Sequence, residues 1–253
     1  MQLIKEIWKQ EDLISFREYL NNFSKGEEKS EWERKIVNTN LKCIAVPSKE
    51  INNIVKRISK GNFISFIKLW PWENHSEVVI IGNLICKIED FDVFKIFLKK
   101  YTQKIDNWSA CDCLKFNITN KNKHVFFKLS KELLLNRLPF VRRVGLLILL
   151  KMLKYKEFLT EIFNILNSFT NEKEYYVNMI IAWIVCEAFI KYKDETISFL
   201  YNNKLNKFSI NKAISKCRDS FRVSKQDKEF LIKFRRKEDW QFPLFFFLTK
   251  SLN

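Results

Sequence analysis

Trp108 and Asp112 stand four residues apart in NWSACD, so on a helix they share one face. Two further segments carry residues of related use. The pair Arg142-Arg143 opens the apolar stretch PFVRRVGLLILL, and Trp183 lies inside YYVNMIIAWIVCEAF. A carboxylate beside indoles stabilises developing positive charge, and arginines pair with carboxylates or phosphates. In a chain of 253 residues with a formal net charge of +16, that chemistry suits a cationic reaction centre on a polyanion such as DNA. Each piece has a plainer account when read singly. Trp108 fits a core tryptophan beside an exposed Asp112 paired with a neighbouring arginine, and Trp183 fits the core of an apolar helix. The arginine pair resists such an account more, because cations in a first helical turn oppose the dipole by roughly 0.3–1 kcal/mol each.

Helices must position these residues. The chain is 47% hydrophobic with only 4 Gly and 4 Pro, which favours long helices joined by short links over a β-rich fold. Residues 2–22 carry an apolar stripe at helical spacing, and 22–31 read as a polar break. Ser48 is placed to cap a helix running to about Ser59, and 63–69 forms a short helix stopped by Pro71. Asn74 with Glu77 opens a helix to Ile88, Asp90 or Asp92 starts the next, and Asn107 caps the one holding Trp108 and Asp112. Further helices are expected at 122–136, 139–154, 156–169, 173–191, 193–203, 209–218 and 225–237, the last capped by Ser224. The expected fold is all-α: one domain over 1–253, an α-solenoid of antiparallel helix pairs of HEAT/ARM type, curved around a concave basic groove.

Charge and cysteine usage narrow the class. The excess of Lys over Asp and Glu has two accounts, a polyanionic partner or A/T-rich codons that also raise Asn, Ile and Phe. Basic clusters stand at Lys212, Lys216, Arg218 and Arg222, and at Lys233, Arg235, Arg236 and Lys237; each reads equally as DNA-binding or as a solvated face. The 6 cysteines form no secreted framework, and Cys111 and Cys113 would project about 200° apart on a helix. With only His75 and His124 besides, no zinc spacing is visible, so no metal is expected. The opening MQLIKEIWKQEDL lacks a signal-peptide core and the longest apolar runs are too short to span a membrane, which predicts a soluble cytoplasmic protein.

The segments taken in order resemble the AlkD-like DNA alkylation repair family, the HEAT-like-repeat DNA glycosylases. The resemblance runs from about Lys35 to Arg236: LKCIAVPSKEINNIVKRI and LWPWENHSEVVIIGNLI precede the Trp-x-x-x-Asp of NWSACD, followed by the arginine helix, the second tryptophan and NKAISKCRDSFRVSKQDKEFLIKFRR. It implies catalytic roles for Trp108, Asp112, Arg143 and Trp183, with Arg142 and the basic clusters on the DNA backbone. It implies removal of cationic alkylpurines of the 3-methyladenine and 7-methylguanine type from duplex DNA, without metal, cofactor or deep base-flipping pocket. A bacterial, monomeric protein associated with the nucleoid follows from the same likeness. Trp32, Trp70 or Trp72 either supplies a further aromatic in the groove or belongs to the core. The alternative is a catalytically silent helical-repeat module that binds nucleic acid or a protein partner.

Overall fold

The computed structural model describes residues 1–237; the remainder of the expected 1–253 domain lies outside the described residues. Every regular element among them is helical: α1 (Asp12–Asn21), α2 (Glu27–Val37), α3 (Ser48–Ile58), α4 (Phe63–Leu69), α5 (His75–Ile85), α6 (Phe91–Thr102), α7 (Trp108–Asp112), α8 (Lys123–Leu134), α9 (Pro139–Met152), α10 (Leu159–Leu166), α11 (Tyr175–Lys191), α12 (Lys193–Asn202), α13 (Lys207–Asp219) and α14 (Lys225–Phe230). Short 3-10 turns precede α10 and follow α14.

Several helices begin where a side chain satisfies the orphan amides of the first turn. Asn62, Asn74, Asp90, Asn107, Asn206 and Ser224 each accept from the amide three residues on. Pro139 occupies the first turn of α9, where its missing N–H costs nothing. Ser48, expected as a cap, is instead the first residue of α3; Pro47 holds the cap position and no side-chain bond is made.

Alternate helices stack in a row, α3 on α5, α5 on α7, α7 on α9, α9 on α11 and α11 on α13. The intervening helices α6, α8 and α12 pack against α5, α9 and α11. This is the arrangement of stacked helix pairs in HEAT-like repeats. The row helices α9 and α11 are buried nearly throughout their length, consistent with their near-continuous apolar sequences. Gly145 lets α8 and α9 cross closely, since a Cβ there would meet the Ser130 carbonyl at 3.0 Å.

Two N-terminal expectations are corrected. Residues 2–11 are not helical, although Leu3 and Trp8 are buried. Their backbone groups pair with the turn before α4 instead: Asn62 N–H donates to the Lys5 carbonyl at 2.8 Å, and Trp8 N–H to Ser65 Oγ at 2.9 Å. Gly61 makes this approach possible, because a Cβ there would lie 2.5 Å from the Lys5 oxygen. Part of the expected polar break, in turn, is the start of α2. Gly26 enters it at φ 87°, acids fill its first turn and bases its last, as the macrodipole favours.

Candidate active site

Asn107 accepts from the Ala110 amide at 2.9 Å and so starts α7, a single turn whose ends are Trp108 and Asp112. Trp108 is half-buried, and its indole N–H donates to the Ile36 carbonyl on α2 at 3.1 Å. Asp112 sits at the C-terminal end of the turn, where the helix dipole disfavours an anion. Arg143 answers it from α9: Nε donates to Oδ1 at 3.1 Å and Nη2 to Oδ2 at 2.7 Å. Its third arm, Nη1, donates to the Tyr176 carbonyl on α11 at 2.6 Å. Arg143 is 5% exposed, so this planar fork fixes the carboxylate from inside the fold.

Trp183 projects from α11 and is half-buried. Its indole N–H donates to Glu187 Oε1 one turn later, at 3.3 Å, and Arg222 holds Glu187 in turn, with Nη1 2.9 Å from Oε2. The Arg222 guanidinium keeps the Glu187 carboxyl below its ordinary pKa, burial acting in the opposite sense.

These residues meet. Trp108, Asp112, Arg143 and Trp183 line one cavity of about 380 Å³ together with Tyr175, Tyr176, Met179 and Lys216. Tyr175, Met179 and Trp183 recur every four residues along α11, a spacing that marks them as one face. Of that face, only Trp183 was expected at the site. A larger cavity of about 1150 Å³ lies elsewhere, with Lys56, Lys87, Lys115 and Lys121 around phenylalanines. Among the described residues lining it are one acid, Glu89, and none of the four expected catalytic residues.

The expected DNA contacts divide sharply. Lys216 lines the smaller cavity, while Lys212 and Arg218 are exposed on the same helix. Arg142, adjacent to Arg143, is engaged within the protein, where Nη2 pairs with both Glu172 oxygens and Nη1 with the Asn136 and Arg137 carbonyls. Arg222 holds Glu187, Arg235 reaches Ser215 Oγ, and Lys233 bonds the Tyr201 hydroxyl. Arg236 is spent on Asn203 and the Leu205 carbonyl. Lys237 is exposed. Among the further aromatics, Trp32 is 60% exposed on α2, whereas Trp70 and Trp72 stack in parallel at 5.4 Å beneath Lys100 and Lys104. None of these three lines the smaller cavity.

A family model described as DNA alkylation repair enzyme matches residues 16–217, most of the chain. The chain belongs to the DNA alkylation repair enzyme family. The match runs from within α1 through nearly all of α13, and so contains every described residue lining the smaller cavity. The basic run from Lys233 to Lys237 lies beyond it. No curated protein sequence matches the chain at a significant level. A family of DNA alkylation repair enzymes acts on a polyanion, in keeping with a strongly cationic chain. No helix among the described residues is long and apolar enough to cross a membrane.

Proposed function

We propose that this family member is a monofunctional DNA glycosylase, acting as a monomer and a single repair domain. It hydrolyses the N-glycosidic bond of cationic alkylated purines, of the 3-methyladenine and 7-methylguanine type, in double-stranded DNA. The observation that carries this reading is the Asp112 carboxylate, clamped through both oxygens by Arg143 in a cavity walled by two indoles.

Alkylation makes the base cationic, so it departs as a neutral purine with the electron pair of the glycosidic bond. Positive charge then develops on the deoxyribose, as in glycoside hydrolysis. Arg143 engages one side of the carboxylate, and each oxygen keeps lone-pair capacity for the sugar or a water. Asp112 stabilises the oxocarbenium-like centre and accepts the proton of the water that adds to the anomeric carbon. The faces of Trp108 and Trp183 add cation–π attraction of about 0.5–2 kcal/mol each. Lys216 grips a phosphate beside the lesion, Lys212 and Arg218 extend that contact along a basic groove, and no deep base pocket is required.

The test is release of 7-methylguanine from duplex DNA under single-turnover conditions. Release by the wild type, with Asp112→Asn inactive yet still binding DNA, is the expected result. Duplex binding without release by the wild type overturns the reading in favour of a catalytically silent helical-repeat module.

A further inference from the structure

Away from this cavity, three residues from three separate elements converge in the N-terminal part of the fold. Glu33 lies on α2, Cys43 on the segment between α2 and α3, and His75 opens α5. Each offers one donor atom, a carboxylate oxygen, a sulfur and a ring nitrogen, and the three lie within 4.8 Å of one another. We propose that Glu33, Cys43 and His75 bind a divalent cation of the zinc class, with solvent completing its coordination.

The donor set is the first support. Thiolate, imidazole and carboxylate together suit a borderline-soft, tetrahedral ion such as zinc rather than calcium or magnesium. Charge is the second: a thiolate and a carboxylate neutralise a divalent cation beside a neutral imidazole, so the buried site carries no net charge. The third is His75 itself, which is 2% exposed. Its Nδ1 lies 3.0 Å from Glu33 Oε1, while its Nε2 is buried and has no hydrogen-bond partner among the described residues. His75 thus has one nitrogen already beside a second donor of the cluster, the contact that an ion shared by the two would replace.

The surroundings hold the donors in place. The Ala45 amide donates to Glu33 Oε2 at 2.9 Å, with Ala45 in the left-handed region at φ 49°. The His75 amide donates to the Lys42 carbonyl at 2.9 Å, so the backbone beside Cys43 is tied to the start of α5. Glu33 keeps 22% of its side chain exposed, a path for the ion and for a water ligand. Binding forms the metal–sulfur bond and releases the thiol proton to solvent.

Such a site would staple α2 to α5. Ile36, the acceptor for the Trp108 indole, stands one turn from Glu33 on α2. The ion thereby fixes the support of one wall of the catalytic cavity without touching the reaction.

Cobalt(II) titration of the chelator-treated, full-length protein tests this. The expected result is a near-ultraviolet thiolate-to-cobalt band that saturates at one equivalent and is displaced by zinc. Cys43→Ala should abolish the band, and His75→Gln and Glu33→Gln should weaken cobalt binding at least tenfold. Wild-type protein without the band overturns the proposal, as does a band that survives in Cys43→Ala, which would belong to another thiol such as Cys186 or Cys217. Should Cys43→Ala fail to fold, the folded Glu33→Gln decides: cobalt affinity equal to wild type overturns the site.

Discussion

On the α7 wall of the candidate catalytic cavity, Trp108 hangs from a backbone carbonyl of α2; on the α11 wall, Trp183 hangs from a carboxylate that Arg222 holds. A peptide carbonyl neither titrates nor responds strongly to salt. A half-exposed ion pair does both, and adds little to stability by itself. The two walls also differ in what they carry. The first presents the Asp112 carboxylate, locked by a buried bidentate arginine, while the second presents a row of large side chains, Tyr175, Met179 and Trp183. The proposed chemistry is thus fixed on one side and adjustable on the other.

Removing the lock should have the largest effect. Asp112→Ala leaves Arg143 buried without its partner and should cost about 3 kcal/mol in denaturant unfolding, the lower end for breaking such a pair because the Tyr176 carbonyl remains. The milder Asp112→Asn should keep the fold but lower single-turnover excision by roughly 10²-fold or more. Stability near wild type in Asp112→Ala would show that the pair contributes orientation alone.

The two indoles then separate the walls. Trp108→Phe retains an aromatic face and loses the bond to Ile36, so unfolding free energy should fall by about 1 kcal/mol. Trp183→Phe should leave the melting temperature nearly unchanged, since Glu187 keeps Arg222. Each should slow excision roughly 2–10-fold through weakened cation–π attraction. Equal stability losses in the two variants would erase the distinction.

Smaller still is the expected effect of Glu187→Gln. It should shift the salt dependence of excision while stability stays within the scatter of a thermal melt, because Arg222 is exposed. The smallest signal is in acid. Glu187 has a folded pKa below its ordinary 4.5, so its contribution is complete above that value and is lost as pH falls through the lowered one. A fluorescence difference between wild type and Trp183→Phe should change in that window, and the corresponding Trp108→Phe difference should not. A pH-independent Trp183 signal would mean that the indole does not depend on its carboxylate.

The site was more legible in the sequence than its surroundings. Spacing puts Trp108 and Asp112 on one helix face with Asn107 ahead of them as a cap, whereas Trp183 is joined to them only by the family resemblance, and Tyr175 and Met179 at the same four-residue spacing went unread. What spacing cannot supply is the difference between Arg142 and Arg143. They are neighbours of one type in one helix turn, and only the third dimension sends one to Glu172 and the other to Asp112. Residues 2–11 mislead for a related reason: their apolar pattern has helical spacing, but a glycine some fifty residues away offers their backbone a better set of partners. The start of α2 is hidden because its surface is polar, and its link to the site is a single carbonyl offered to the sequence-distant Trp108.

Arg143 joins groups that are 31 and 33 residues away in the chain, one before it and one after. During synthesis the carboxylate emerges first, its clamp later, and the carbonyl that completes the clamp later again. Asp112 therefore gains its fixed orientation only after α9 and α11 have docked. An incomplete polypeptide carries the carboxylate but not its aim, so the proposed excision activity arrives with the finished stack of helices and not before.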